Sequence, residues 1–572
     1  MVRPVTREDL PISAGGAIFR RLQQLGVRSV FVNSGTDFPP IIEGLAEAEA
    51  SGLEVPKAIV VPHEHVAMSM AHGHFFATGE PAAVMLHTNV GLANGAIGAI
   101  NAATDHVPMI IMSGRTPATE HGRFGSRTVP IGWGQEMRDQ AALVREACKW
   151  DYEVRFPEQI PALLDRAYAI ATTTPKGPVY LSLPREVLCE PCPAEALESP
   201  PAMASPVIAP DHAGLAAAAQ LLSASRRPLV VAQRGAGSEA GFQALASMAD
   251  RWSIPVCQWW AVANAIAADH PMHVGADPGP WLEHADVVLV IDSLAPWMPD
   301  VHRLPPDCRV IQLGPDPLYS RFPVRNFRAD VSIATETGPG LVALASAMKA
   351  LEPDADSERH ERRRTHIAEY TRARRSALDA ATAEPADAVM TKAFVARCIG
   401  DAIAGRRATV VSELGAPLEP LGLSDHDSWR QEPHSGGLGW GLPCAMGIKL
   451  ADPDRLVVAS VGDGSYLFAN PVAAHHVAEV HSIAVLTVIV NNAGYAAVQQ
   501  SVTGLYPTGY AAKADAIPLT TLSPSPDFRL VAESCRAWAE SVTEASQLPD
   551  ALRRALAEVD AGHQAVLDVR VA

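Results

Sequence analysis

Short, nearly all-apolar runs alternate with Ala-rich stretches along most of this chain. The runs at 58–61, 107–112, 179–183, 229–232, 287–291, 309–313, 457–461 and 484–490 lack the polar alternation of a strand with one wet face. Runs of this kind predict parallel strands covered by helices on both faces. Two stretches interrupt the pattern. Residues 191–210 are rich in Pro, Ala and Ser, and residues 351–386 carry dense acidic and basic blocks. Both read as linkers, though the second could instead contain a solvated helix, which its Arg-rich centre would tolerate. Cutting there leaves segments 1–190, 205–350 and 385–572, each with its own strand and helix alternation. The expected fold class is α/β, with three doubly wound parallel-sheet domains.

Composition narrows the choice of partners. A chain of 572 residues is too long for one hydrophobic core. Apolar residues at 48% and charged residues at 19% describe a globular protein rather than a disordered one. The net charge of −17 argues against nucleic acid as a partner, because phosphate binding needs clustered Lys and Arg. No apolar run approaches the roughly 20 residues of a membrane helix, and residues 1–21 mix charges instead of forming a signal peptide. No membrane partner and a cytoplasmic location are expected. The eight cysteines are scattered, and the single CxxC at Cys189 and Cys192 has no second ligand pair nearby, so reduced thiols are expected there rather than zinc.

Candidate chemistry gathers at two strand ends. Gly462-Asp463-Gly464-Ser465 follows one apolar run, and Asn491-Asn492-Ala493-Gly494 ends the next, with 26 residues between Gly464 and Asn491. That spacing leaves room for a helix near 471–481 crossing between neighbouring parallel strands. Both polar clusters would then sit at strand carboxyl ends, where open α/β sheets bind ligands. The donor set suits Mg²⁺ on a diphosphate, since this small hard cation takes few protein oxygens and fills its octahedron with phosphate and water. Asp463 supplies a carboxylate, Asn492 an amide oxygen and Gly494 a backbone carbonyl. Glycines beside Asp463 let the chain approach the phosphates.

In this spacing the chain resembles the thiamine-diphosphate enzymes of the 2-oxo acid decarboxylase and acetohydroxyacid synthase group, and the likeness runs over nearly the whole length. The resemblance implies pyrimidine-binding, central and diphosphate-binding domains, with thiamine diphosphate and Mg²⁺ as cofactors. It makes Gly464, Ser465, Asn492 and Tyr495 cofactor contacts. It also implies a glutamate that activates the aminopyrimidine ring, and Glu64 in Pro62-His63-Glu64-His65-Val66-Ala67 holds that place. The HExxH of zinc proteases is ruled out because Ala67 stands where the second histidine belongs. His87 follows Glu64 by 23 residues, as in the benzoylformate decarboxylases, and its natural task is proton transfer to covalent intermediates. Thr36 stands where those enzymes have a substrate-binding serine. Gly436 and Leu438, in Gly436-Gly437-Leu438-Gly439, correspond to the segment that packs on the cofactor and bends it.

The substrate pocket departs from that pattern. Val498 and Ser501 fall at the positions that line an aromatic pocket, and they offer less apolar surface to a ring, so benzoylformate itself is not expected. His270, in Asp269-His270-Pro271, aligns loosely with a histidine near the substrate. His475 and His476 read as packing or surface residues. The stretch 505–526 is expected to form a lid or a substrate wall. The turn 233–237 follows an apolar strand and could border FAD, which some members of the group carry, though a plain turn is the simpler reading. The expected activity is non-oxidative decarboxylation of a 2-oxo acid. The alternatives are carboligation, a lyase reaction on a 2-hydroxyacyl substrate, or a catalytically silent relative. The expected assembly is a homotetramer with active sites at dimer interfaces.

Overall fold

The computed structural model describes residues 12–351, 357–385 and 389–572. The start of the chain and parts of the second linker stretch (352–356 and 386) lie outside them. A two-residue strand, β1 (Ile12–Ser13), precedes the first sheet. That sheet contains β2 (Ser29–Val32), β3 (Lys57–Val60), β4 (Ala82–Leu86), β5 (Met109–Arg115), β6 (Asp151–Glu153) and β7 (Pro178–Pro184), in the order β3-β2-β4-β5-β7-β6. All its pairings are parallel. β8 (Pro191–Cys192) then returns antiparallel to β1, which takes the start of the expected linker into a small sheet.

The second sheet is β9 (Pro228–Ala232), β10 (Val256–Cys257), β11 (Val287–Ile291), β12 (Arg309–Gly314) and β13 (Val331–Ala334), ordered β10-β9-β11-β12-β13. The third is β14 (Ala408–Glu413), β15 (Trp429–Gln431), β16 (Leu456–Gly462), β17 (Leu486–Asn491), β18 (Trp538–Val542) and β19 (Ala565–Arg570), ordered β15-β14-β16-β17-β19-β18. Both are parallel throughout. The eight apolar runs all fall in or beside strands, and β11 spans the same residues as its run. Except at the edge strand β3, where Val60 is exposed, these strands are buried on both faces because helices cover each side of the sheet.

The first and third sheets share one core. Helix Glu64–Thr78 follows β3, helix Gly441–Ala451 precedes β16, and the two pack face to face. Their backbones touch at paired glycines. A Cβ on Gly73 would stand 2.0 Å from the Cys444 carbonyl oxygen, and one on Gly447 would stand 2.0 Å from that of Met70. Only glycine permits this approach. Burial leaves the helix histidines neutral: desolvation lowers His65 to about 4, His72 to about 3 and His74 to about 4.

The charged stretch after the second sheet is a helix, Ser357–Ala381, rather than a linker. It is polar on nearly every side, so its anchorage is tertiary. Ile367 enters the core of the second sheet. The Arg363 guanidinium donates to the Trp252 carbonyl at 2.5 Å, and Arg364 donates to Asp250 at 2.8 Å. Arg374 pairs with Glu419 at 3.4 Å. The helix thus straps the second sheet to the third. No described helix is long and apolar enough to cross a membrane.

Candidate functional site

β16 and β17 are parallel neighbours, joined through helices Asp463–Phe468 and Pro471–Val480. The two polar turns therefore lie side by side at the carboxyl end of the third sheet. Asp463 is almost fully buried. One carboxylate oxygen accepts the Gly464 N–H at 2.9 Å and the other accepts the Gly494 N–H at 3.2 Å. Desolvation nevertheless raises its pKa, outweighing those bonds. The first asparagine of the pair is structural: Asn491 donates to Asp568 at 2.9 Å and accepts the Ala493 N–H at 3.0 Å. With Ala493 in the left-handed region (φ 55°), the chain turns so that Asn492 lines a cavity of about 210 Å³.

Asp463, Gly464, Ser465, Gly494, Tyr495 and Leu438 line the same cavity. A Cβ on Gly464 would come within 2.9 Å of the Tyr495 ring, so the turn has no room for a side chain. The Ser465 hydroxyl is buried without a partner, a group left to be satisfied by a ligand. An all-oxygen set of one carboxylate, one amide and one carbonyl, beside an orphan hydroxyl, fits Mg²⁺ and a diphosphate.

The loop bearing Gly436 and Leu438 is held from three directions. Asn101 donates to the Gly437 carbonyl at 2.8 Å, and His65 donates to the Leu438 carbonyl at 3.0 Å. Glu413, at the end of β14, accepts the N–H groups of Gly439 and Gly441. Complete burial pushes the Glu413 carboxyl up to about 8. Gly436 adopts φ 70°, which its lack of a Cβ allows.

The second cluster lies at the carboxyl end of the first sheet. Glu64 opens its helix and accepts a hydrogen bond from the Asn94 amide at 2.6 Å. His87 directly follows β4, half-buried, and its Nδ1 bonds the carboxylate of Asp37. Its other nitrogen meets the Gln135 amide at 3.0 Å. Asp37 is almost fully buried and also accepts the Thr88 N–H at 3.2 Å. The Asp37 bond is the largest influence on His87 and raises its pKa against desolvation, with a smaller contribution from the Glu64 charge. Packing locks the pair in place: a Cβ on Gly35 would lie 2.1 Å from the His87 ring, and one on Gly114 would lie 1.5 Å from the Asp37 carboxylate.

The remaining candidates are dispersed. Thr36 is exposed, with its carbonyl accepting from Arg185 at 3.2 Å, and it borders a small cavity with Asp37 and Gln135. Val498 lines the Asp463 cavity, while Ser501, one turn further along helix Ala496–Leu505, is exposed. His270 lies apart from both clusters, among Asp250, Asp269 and Arg364. His475 packs in the core between the Tyr466 hydroxyl and Gln564, each at 2.8 Å, and His476 is exposed. The turn 233–237 borders a cavity of about 300 Å³, which Arg234, Ala236 and Gly237 help to line. Residues 520–522 of the expected lid are tied to the asparagine turn. The Tyr495 N–H donates to the Thr520 carbonyl at 2.7 Å, and the Leu522 N–H donates to that of Ala493 at 2.8 Å.

Asp37, Gln135 and Asn94 were not singled out from sequence. Asp37 sits in a turn-rich loop where an acid is commonplace, and its position directly after Thr36 was the one available signal.

Three family models match the chain: the N-terminal TPP-binding domain of thiamine pyrophosphate enzymes over residues 12–143, the central domain over 215–344 and the C-terminal TPP-binding domain over 420–569. The chain is 29% identical over 567 residues to a probable 2-ketoarginine decarboxylase of Pseudomonas aeruginosa, covering 95% of this chain and 91% of the relative. It is 25% identical over 560 residues to a benzoylformate decarboxylase of the same organism, covering 95% and 96%. A thiamine diphosphate-dependent 4-hydroxybenzoylformate decarboxylase from Rhodococcus jostii RHA1 superposes with a TM-score of 0.79 at 23% identity, covering 98% and 99%, which is a likeness of fold.

Proposed function

The chain belongs to the thiamine pyrophosphate enzymes, and from that premise we propose that it is a Mg²⁺-dependent, non-oxidative decarboxylase of a 2-oxo acid. The observation that carries this reading is the Asp37–His87 pair with Glu64 beside it. Decarboxylation ends in protonation of carbon, and that step is served by a proton donor held at the site near neutral pH. His87 is such an acid, because the Asp37 carboxylate favours its protonated form. Carboligation replaces the proton with a second carbonyl and has less use for it.

In this reading Asp463, Asn492 and the Gly494 carbonyl hold Mg²⁺, and Gly464, Ser465 and Tyr495 border the diphosphate. Leu438 and the Gly436 carbonyl would meet the rings of the bound cofactor. When bound, thiamine diphosphate supplies the electron sink that lets carbon dioxide leave. Glu64 exchanges a proton with the aminopyrimidine, with Asn94 fixing its carboxylate. His87 delivers the proton that completes the aldehyde. No flavin is part of this scheme.

Within one chain the Asp463 cavity includes neither Glu64 nor His87. The helix face that carries Asn94 also exposes Val90 and Ile97. Apolar groups beside an acid of this importance support a face covered by a second copy of the chain. We take the assembly to be a homotetramer in which Glu64 of one copy completes the cofactor site of another.

Val498 is half exposed and Ser501 is also exposed, which gives a bare aromatic ring little to pack against. An aliphatic or polar 2-oxo acid is the expected substrate. Carbon dioxide release is measured across aliphatic, guanidino and aromatic 2-oxo acids, with thiamine diphosphate and Mg²⁺ present. Cofactor-dependent release with an aldehyde product, slower for benzoylformate, is the expected result. A ketol product would shift the reading to carboligation, and silence across the panel with cofactor bound would overturn it.

A further inference from the structure

Lys392 is the first residue of helix Lys392–Ile403, far in sequence from both polar turns. Its side chain nevertheless lines the cavity that holds Asp463, Gly464, Ser465 and Asn492. The ammonium donates to the Leu414 carbonyl at 2.7 Å, which occupies one of its three hydrogens. Leu414 itself is held in the left-handed region at φ 54°, which is uncommon for a residue with a branched side chain. The Leu414 N–H is in turn held at 3.4 Å by the half-buried carboxylate of Glu432. Lys392 and Glu432 thus grip the two sides of one strained residue at the cavity wall.

The charge count of the site requires a cation. Asp463 brings a negative charge, and Glu432 places a second carboxyl nearby. A diphosphate carries more negative charge than one Mg²⁺ neutralises. Lys392 is the cationic side chain among the described residues that line this cavity. The Ser465 hydroxyl in the same wall lacks a partner.

We propose that Lys392 is a diphosphate-binding residue, whose two remaining ammonium hydrogens engage the terminal phosphate of thiamine diphosphate and make the site selective for the diphosphorylated cofactor. This rests on the cofactor reading above and adds to it a charged contact outside both polar turns. Leu414 acts as the positioning residue, since its carbonyl aims the ammonium at the cavity.

The test is direct binding to the full-length apoprotein with Mg²⁺ present, by calorimetry, using thiamine diphosphate and thiamine monophosphate as probes. Circular dichroism and thermal unfolding verify that each variant is folded. Lys392→Met is expected to weaken thiamine diphosphate binding about 10- to 100-fold, the range of a hydrogen bond to a charged group. It should weaken thiamine monophosphate binding much less, collapsing the preference between the two. Lys392→Arg keeps the charge and is expected to retain most of that preference. The wild-type affinity should fall with added salt more steeply than that of Lys392→Met. Unchanged diphosphate affinity in folded Lys392→Met, beside a wild-type protein that binds normally, would overturn the role of Lys392 and leave the cofactor reading intact. Equal loss for both probes would also overturn it, because a lysine that only shapes the Leu414 loop affects them alike. A wild-type protein that binds no thiamine diphosphate would overturn both.

Discussion

The two clusters at the carboxyl ends of the first and third sheets are built from different materials. In the third sheet the backbone does most of the work. Asp463 is held by the N–H groups of Gly464 and Gly494, Asn491 ties its own turn, and the ligand-facing groups follow from where the strands stop. In the first sheet side chain holds side chain. Asp37 orients His87 across 50 residues of sequence, and Asn94 orients Glu64 across 30. A backbone site is rigid and suits a cofactor that stays bound. A side-chain site can change protonation and suits a proton that must move. On the function proposed above, the third sheet holds the cofactor and the first moves the proton.

That division makes opposite predictions for the two acids. Glu64→Gln preserves the shape of the first cluster and removes only its proton. Turnover should fall by at least about 100-fold, while calorimetry shows thiamine diphosphate binding within a few-fold of wild type. Asp463→Ala should do the reverse. Cofactor affinity falls by roughly 100-fold, no less than the loss of supporting groups around a metal usually causes, and part of the turnover returns when Mg²⁺ and cofactor are raised. If both variants lost binding and turnover together, the separation of roles would fail.

The smallest effect belongs to Asp37→Asn, and it is read best from pH dependence. The groups that set the His87 charge are Asp37 and Glu64, with neutral Gln135 at its other nitrogen. Because its folded pKa is raised above 6.5, the imidazolium–carboxylate pair stabilises the protein fully below that value and is lost as pH rises through the raised pKa. Activity that needs the protonated imidazole should decline over the same alkaline interval. Asp37→Asn should move that decline to lower pH and reduce turnover about tenfold at neutral pH. An unmoved alkaline limb in the pH–rate profile would remove His87 from the proton-transfer role.

Much of this molecule was legible because its information is local. An apolar run that ends in Gly-Asp-Gly or Asn-Asn states both a buried strand and the turn at its carboxyl end, so β16 and helix Pro471–Val480 were expected within a residue at each end and β17 within two, while the short helix Asp463–Phe468 was not expected. β10 and β15 were missed because two or three residues carry too little pattern, and β18 because Glu540 and Ser541 interrupt its apolar residues. The charged stretch around 357–381 read as a linker or a solvated helix, since what secures it is a set of arginines reaching other elements.

What the amino-acid order determined by itself was the α/β alternation, the three parallel sheets and the residues standing at the strand ends, because strand burial and turn chemistry are settled within a dozen neighbouring residues. What only the tertiary structure decided was which strand ends face one another and which distant side chains meet there. The Asp37–His87 pair depends on β2 lying next to β4, and the reach of Lys392 into the Asp463 cavity depends on where helix Lys392–Ile403 meets the end of β14. Those contacts follow from sheet order and helix packing, in which sequence separation carries no information about distance.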